Sequence, residues 1–300
     1  MDAAVFHEPR RRFIAIESRA GAGEMAALDF GPTDRSIDVI FLHANGFNAL
    51  TYRSILGPLS AGLRVLAVDQ RGHGASRLKA DPSGRRSWKD FRDDLVGLLD
   101  ALDQPPVVLS GHSMGGTVSI LAAALRPERV SSLVLFDPVM MPPMVALYAH
   151  APWTSGRLWK RMPIVQGALR RRAVFDSREA AFAAYKGRGA FKTWPDAAVA
   201  DYVAGGFVEA PDGKVTLACT PQWEASSFAA QGHNPWSALR RVKAPVRILK
   251  AEKHSTCRGS IRDVKRRHPT LQVETVPGTT HFLPMERPDL VRDALMDAAV

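Results

Sequence analysis

Short apolar runs rich in β-branched residues alternate along the chain with longer stretches of helical periodicity. Arg12 to Glu17 and Met25 to Phe30 read as two early strands, expected to pair antiparallel at one edge of a sheet. Val39–Leu42, Val65–Val68, Val107–Leu109 and Leu133–Phe136 are apolar without a polar face. That is the pattern of strands covered on both sides in a parallel sheet. Between them, Phe91, Leu95, Leu98, Leu99 and Leu102 fall on one face of a helix over Trp88–Leu102. Met114–Leu125 predicts a second helix, rich in small residues. Strands alternating with helices imply an α/β fold: a mostly parallel central sheet flanked by helices.

The pattern changes after Asp137. Residues 138–240 hold tryptophans, scattered Gly and Pro, and helical stretches such as Arg178–Tyr185, but no strand series. Strand-like runs return at Val246–Leu249 and Val273–Val276, and Pro288–Ala299 predicts a closing helix. The expected organisation is one core, residues 1–137 and 241–300, interrupted by a mainly helical cap over 138–240.

Composition narrows the class. The 300 residues are 46% hydrophobic and 23% charged, which excludes disorder as the state of the whole chain. A chain this long buries roughly three quarters of its unfolded surface, so no staple is required. Cys219 and Cys257 lack metal-ligand spacing and read as small hydrophobes in a reducing compartment. The acidic N-terminus does not read as a signal peptide, and Leu133–Tyr148 carries Asp137 and three prolines, so neither a leader nor a membrane span is expected. A soluble, cytoplasmic protein follows. The net charge of +10 suits nucleic acid, an acidic surface or an anionic substrate without choosing among them.

The sharpest local signal is Gly111-His112-Ser113-Met114-Gly115-Gly116, with a strand before it and a helix after. A strand-to-helix turn this sharp demands small residues two before and two after the serine, and Gly111 and Gly115 meet that demand. Ser113 would stand above a helix N-terminus, whose dipole favours a developing anion. A serine nucleophile needs a base. His281 lies beyond the last strand in a loop entering the final helix; His254 and His268 are rivals, the latter in the basic run Lys265-Arg266-Arg267.

Four segments in order resemble the α/β-hydrolase superfamily, in particular its cap-bearing serine esterases and lipases. They are His43-Ala44-Asn45-Gly46-Phe47, Asp69 to Ser76, the Ser113 turn, and the His281 loop with Glu286-Arg287-Pro288 after it. The resemblance covers about residues 12 to 300. It implies an oxyanion hole from the backbone amides of Met114 and Asn45, with His43 and His73 bonding their own loops. It also implies the order nucleophile, acid, histidine, which favours His281.

The acid departs from the common pattern. Most relatives place an aspartate after the strand equivalent to Val246–Lys250, where this chain reads Ala251-Glu252-Lys253-His254. Asp137, 24 residues after Ser113 at the end of the next strand, occupies an alternative site known in the superfamily. Asp137 is the expected acid and Glu252 its rival. A serine nucleophile sets the chain apart from the dehalogenases and epoxide hydrolases of this fold, which use aspartate.

In the insertion, Met140, Met141 and Met144 suit either an acyl-chain lining or plain core. Arg157, Lys160, Arg161, Arg170, Arg171 and Arg172 suit either an anion funnel or a solvated face. Five of the six tryptophans, Trp153, Trp159, Trp194, Trp223 and Trp236, read as cap core. The expected function is hydrolysis of carboxylic esters or acyl thioesters of small molecules through an acyl-enzyme, with no metal or organic cofactor, no nucleic acid and no membrane insertion. A C–C bond, lactone or amide hydrolase with the same triad is the alternative, and a non-catalytic binding protein of the same fold is another.

Overall fold

The computed structural model describes residues 8–150, 161–258 and 268–299. Trp153, Arg157, Trp159, Lys160 and the basic run before His268 lie outside the described residues. Eight strands form the central sheet: β1 Arg10–Ser18, β2 Gly21–Phe30, β3 Val39–Leu42, β4 Val65–Val68, β5 Val107–His112, β6 Val130–Phe136, then β10 Val246–Ala251 and β11 Leu271–Val276. Their spatial order is β1-β2-β4-β3-β5-β6-β10-β11. The edge pair β1–β2 is antiparallel, as its early position and alternation suggested, and β2 joins β4 antiparallel. From β4 to β11 every pairing is parallel.

Alternate residues of the central strands enter two separate cores. Ile40, Leu42, Leu66, Val68, Leu109, Leu133 and Leu135 face one side, with the Lys89–Leu102 and Met114–Ala123 helices. Val39, Phe41, Val65, Ala67, Val108, Val134 and Phe136 face the other, with the Pro288–Ala299 helix. Each fully buried aliphatic side chain contributes about 1.5–3 kcal/mol, which explains strands with no polar face.

Between β6 and β10 the chain is mostly helical, with helices at Pro143–His150, Pro163–Leu169, Arg178–Tyr185, Asp196–Gly206, Pro221–Ala229 and Pro235–Leu239. It also holds a small antiparallel sheet that the periodicity did not predict: β7 Val174–Phe175, β8 Phe207–Glu209 and β9 Val215–Leu217, in the order β7-β9-β8. Strands of two or three residues are too short to show an alternation. Among the described residues no helix is long and apolar enough to cross a membrane.

Candidate active site

β5 carries the chain straight into Ser113. The residue sits at φ 56°, ψ −116°, off the regions ordinary side chains favour, at a cost of about 1–3 kcal/mol. Its backbone is pinned on both sides: its N–H donates to the Phe136 carbonyl at 3.0 Å, and its own carbonyl accepts from Thr117 N–H at 3.2 Å. The turn closes because Gly111 and Gly115 bear no side chain. A Cβ on Gly111 would stand 2.5 Å from the Gly115 carbonyl carbon, and one on Gly115 would stand 2.2 Å from the Leu42 oxygen.

Three residues distant in sequence meet at this turn. His281 Nε2 lies 2.9 Å from Ser113 Oγ, and His281 Nδ1 lies 2.6 Å from Asp137 Oδ2. An ionised carboxylate only accepts, so Nδ1 carries the imidazole proton and Nε2 faces the serine hydroxyl as acceptor. Asp137, at φ 41°, is fully buried. Burial alone would raise its pKa, but the hydrogen bond and electrostatic attraction of the His281 ring, with bonds from Ser255 and Thr256, hold the carboxyl below its ordinary value.

The cradle around Asp137 comes from the segment following β10. Oδ1 accepts from Ala251 N–H at 3.0 Å and from Ser255 Oγ at 2.5 Å, and Oδ2 also accepts from Thr256 N–H at 2.9 Å. Sequence reasoning stopped one residue short of these donors, at His254. The adjacent Ser255-Thr256 pair was the available signal, since a buried carboxylate needs donors nearby. Glu252 is placed elsewhere: its Oε2 accepts from Gly278 N–H at 2.9 Å at the surface.

The His43–Phe47 loop lies over the same turn. Ala44 N–H donates to Tyr52 Oη at 3.2 Å and Gly46 N–H donates to His73 Nε2 at 3.0 Å. The amides of Asn45 and Met114, the pair expected to form an oxyanion hole, have no hydrogen-bond partner among the described residues. The Asn45 side chain faces the Pro221–Ala229 helix, with Nδ2 donating to the Glu224 carbonyl at 3.0 Å and Oδ1 buried with no partner among the described residues. His43 and His73 bond their own loops: their Nδ1 atoms lie 2.7 and 2.9 Å from the carbonyls of Ala44 and Arg71.

A cluster of aromatic side chains adjoins the site, with Phe282 5.8 Å from the His281 ring. Phe47 contacts Trp194 edge-on at 5.1 Å and Tyr202 at 5.7 Å, and Trp194 meets Phe282 at 5.7 Å. Ser113 retains only 7% exposure. A cavity of about 630 Å³ opens further out, between the Pro82–Arg86 loop and the helices at 163–169 and 221–229, and none of Ser113, His281 or Asp137 lines it.

Two expectations for individual side chains need correction. Arg171 is no free cation: it donates to Glu224 Oε2 at 2.5 Å and to Tyr202 Oη at 2.6 Å. Arg170 and Arg172 remain exposed, and Arg172 lies over the Phe175 ring at 4.3 Å. His268 is buried rather than solvated, with Nδ1 3.2 Å from Thr270 Oγ1. The methionines divide: Met140 is fully buried in the core, whereas Met144 is 54% exposed. Among the described residues no cluster of three His, Cys, Asp or Glu could hold a metal ion.

Fold and site together define a hydrolase-type α/β architecture. The alpha/beta hydrolase family model matches residues 39–294, and the chain belongs to that family. It is 27% identical over 262 residues to the 2-(acetamidomethylene)succinate hydrolase of Mesorhizobium japonicum, covering 86% of each chain. An esterase of Mycobacterium tuberculosis is 36% identical over 137 residues, 46% of this chain and 43% of that protein. Among solved structures, E-2-(acetamidomethylene)succinate hydrolase superimposes with a TM-score of 0.75 at 24% identity, over 95% of this chain and 98% of that one. The thioesterase domain of the curacin biosynthetic pathway gives 0.74 at 14% identity, over 97% of this chain and 100% of that one. At these identities the two structures speak for the fold.

Proposed function

We propose that this α/β hydrolase is a serine hydrolase that cleaves carboxylic esters or acyl thioesters of small molecules through an acyl-enzyme. The single observation that carries the reading is the continuous chain Ser113 Oγ, His281, Asp137, with links of 2.9 and 2.6 Å. His281 Nε2 takes the hydroxyl proton as Ser113 Oγ bonds to the acyl carbon. Asp137 holds the imidazole in its Nδ1–H tautomer and balances the imidazolium. The oxygen that becomes negative is met by the N–H groups of Met114 and Asn45, donors worth about 10²–10³ in rate each. Collapse breaks the acyl–oxygen or acyl–sulfur bond, and the leaving group takes the proton from His281. Water then repeats the cycle, bonding to the acyl carbon and releasing the acid and free Ser113. Residues 138–240 serve as the cap that selects the substrate, in a protein that works in the cytoplasm.

An amide substrate is the second reading, favoured by the acetamido group in the name of the Mesorhizobium relative. The test is labelling by a fluorophosphonate, followed by turnover of p-nitrophenyl esters, acyl-CoA thioesters and N-acetyl enamides. Labelling lost in Ser113→Ala, with ester or thioester turnover, supports the proposal. Labelling with turnover of the amide alone supports the second reading. A protein that neither labels nor turns over any of the three would be a binding protein.

A further inference from the structure

Tyr52 and His112 are 60 residues apart in sequence and connect the two loops that meet at Ser113. His112 Nδ1 lies 2.8 Å from Tyr52 Oη, and its Nε2 lies 2.7 Å from the carbonyl oxygen of His281. The same Tyr52 oxygen receives Ala44 N–H at 3.2 Å. Tyr52 and His112 are both fully buried.

The partners leave one consistent placement of protons. A carbonyl can only accept, so His112 Nε2 carries the ring proton and donates it to His281. Nδ1 must then accept, and the Tyr52 hydroxyl supplies the proton. Tyr52 spends its one hydrogen there and takes Ala44 N–H on its oxygen, so every donor has an acceptor. Burial keeps His112 neutral, its pKa pushed down to about 3, so this arrangement persists at ordinary pH.

What the relay secures is specific. At one end, Ala44 N–H is tied to Tyr52 and Gly46 N–H to His73, which fixes the peptide units before and after the one that carries the Asn45 N–H. At the other end, the relay holds the backbone of His281 itself. Packing does not require these polar atoms: Tyr52 lies against Phe41 with ring centroids 4.7 Å apart, and a phenyl ring would fill the space. Burying a hydroxyl and an imidazole costs desolvation that only their hydrogen bonds offset.

We infer that Tyr52 and His112 are positioning residues, which hold the Asn45 amide and the His281 ring in fixed register about Ser113. The inference rests on the Ser113–His281 reading and adds to it the device that aligns its two halves. Misplacement by about 1 Å costs on the order of 10² in rate, so a small slackening is measurable.

Tyr52→Phe keeps the ring and removes the hydroxyl. The rate of fluorophosphonate labelling of Ser113, and kcat for p-nitrophenyl butyrate, should both fall by about 10- to 100-fold. KM should stay within about twofold, because the substrate itself is not touched. His112→Gln, which retains a donor toward the His281 carbonyl, should lose clearly less than His112→Ala. This second pair decides the matter if Tyr52→Phe fails to fold. Labelling of Tyr52→Phe at the parent rate would overturn the inference, as would equal losses in the two His112 variants. Ser113→Ala separates the two levels of failure. If it still labels, the nucleophile reading falls and the inference with it; if it is silent while Tyr52→Phe reacts normally, the inference alone falls.

Discussion

Arg171 ion-pairs with Glu224 at 2.5 Å, and the backbone carbonyl of the same Glu224 holds the Asn45 side chain at 3.0 Å. The pair lies within the segment between β6 and β10, and both side chains are largely buried, at 20% and 9% exposure. Burial alone would lower the pKa of Arg171, but Tyr202 and Glu224 raise it above its ordinary value and keep it charged. The segment between β6 and β10 therefore meets the His43–Phe47 loop beside a neutralised charge pair, and Arg171 is no free cation.

Removing one partner of this pair leaves the other charge buried. Arg171→Met is expected to lower stability by about 3–5 kcal/mol, whereas the exposed Arg170→Ala should stay within about 0.5 kcal/mol. Urea unfolding measures both. Arg171→Met combined with Glu224→Leu should recover much of the loss, since two apolar groups leave no unpaired charge. Equal, small effects at positions 170 and 171 would contradict the pairing.

Asp137 and Glu252 were both open as the acid when only the sequence was considered, and the structure puts Asp137 alone on His281. Asp137→Asn should cut kcat by about 10⁴, because the amide favours the wrong imidazole tautomer. Glu252→Gln should leave kcat unchanged and loosen only the Gly278 turn. Steady-state kinetics on whichever ester proves active, run for both variants, reverses the assignment if the Glu252 variant is the one that dies.

How far the site could be read from the sequence depended on how local each signal was. Ser113 and its glycines form a contiguous motif whose spacing is set by the turn, and the central strands show as apolar runs because both faces are covered. β5 is longer than its apolar run because Ser110, Gly111 and His112 continue the ladder against Val134, Leu135 and Phe136. A polar residue in a buried strand looks like a strand end. The partners of Arg171 and His112 lie 53 and 60 residues away, and no local pattern announces such pairings. His268 was misjudged for the converse reason: charged neighbours in sequence do not determine what covers a side chain.

The buried histidines imply a stability that depends on pH. Burial pushes the pKa of His112 and of His233 down to about 3 and lowers His43 and His73 as well. In the unfolded chain each histidine takes a proton near pH 6.5. Between that value and the folded pKa the unfolded state binds more protons. Stability is therefore complete above about pH 6.5 and declines as the pH falls, by up to about 1.4 kcal/mol per pH unit for each histidine. His233 stacks on Trp88 at 4.3 Å and lies outside the proposed machinery. His233→Phe keeps the stacking and removes the titration. At pH 8 the histidine is neutral in both states, so the unfolding free energy there serves as the reference. The variant's slope between about pH 6 and 4.5 should be shallower by about the contribution of one histidine. An unchanged slope would mean that His233 is already protonated in the folded state.

Gly46 leaves no room for a side chain against Glu224. It sits at φ +76°, and a Cβ there would stand 2.6 Å from Glu224 Oε1 and 3.4 Å from Arg171 Nη1. Gly46→Ala therefore combines left-handed backbone strain, about 1–2 kcal/mol, with a displacement of Glu224 or of the loop. Gly213 supplies the control: at φ +78° it is equally strained, and nothing lies within 4 Å of its would-be Cβ. Both variants should lose about 1–2 kcal/mol in urea unfolding, with a larger loss at Gly46, where Glu224 must also move. Only Gly46→Ala should lose activity, by about tenfold or more in kcat, because the peptide that shifts is next to the Asn45 amide. Two variants alike in kcat would show that the loop yields without disturbing that amide, and that the close approach of Gly46 to Glu224 has no part in holding it.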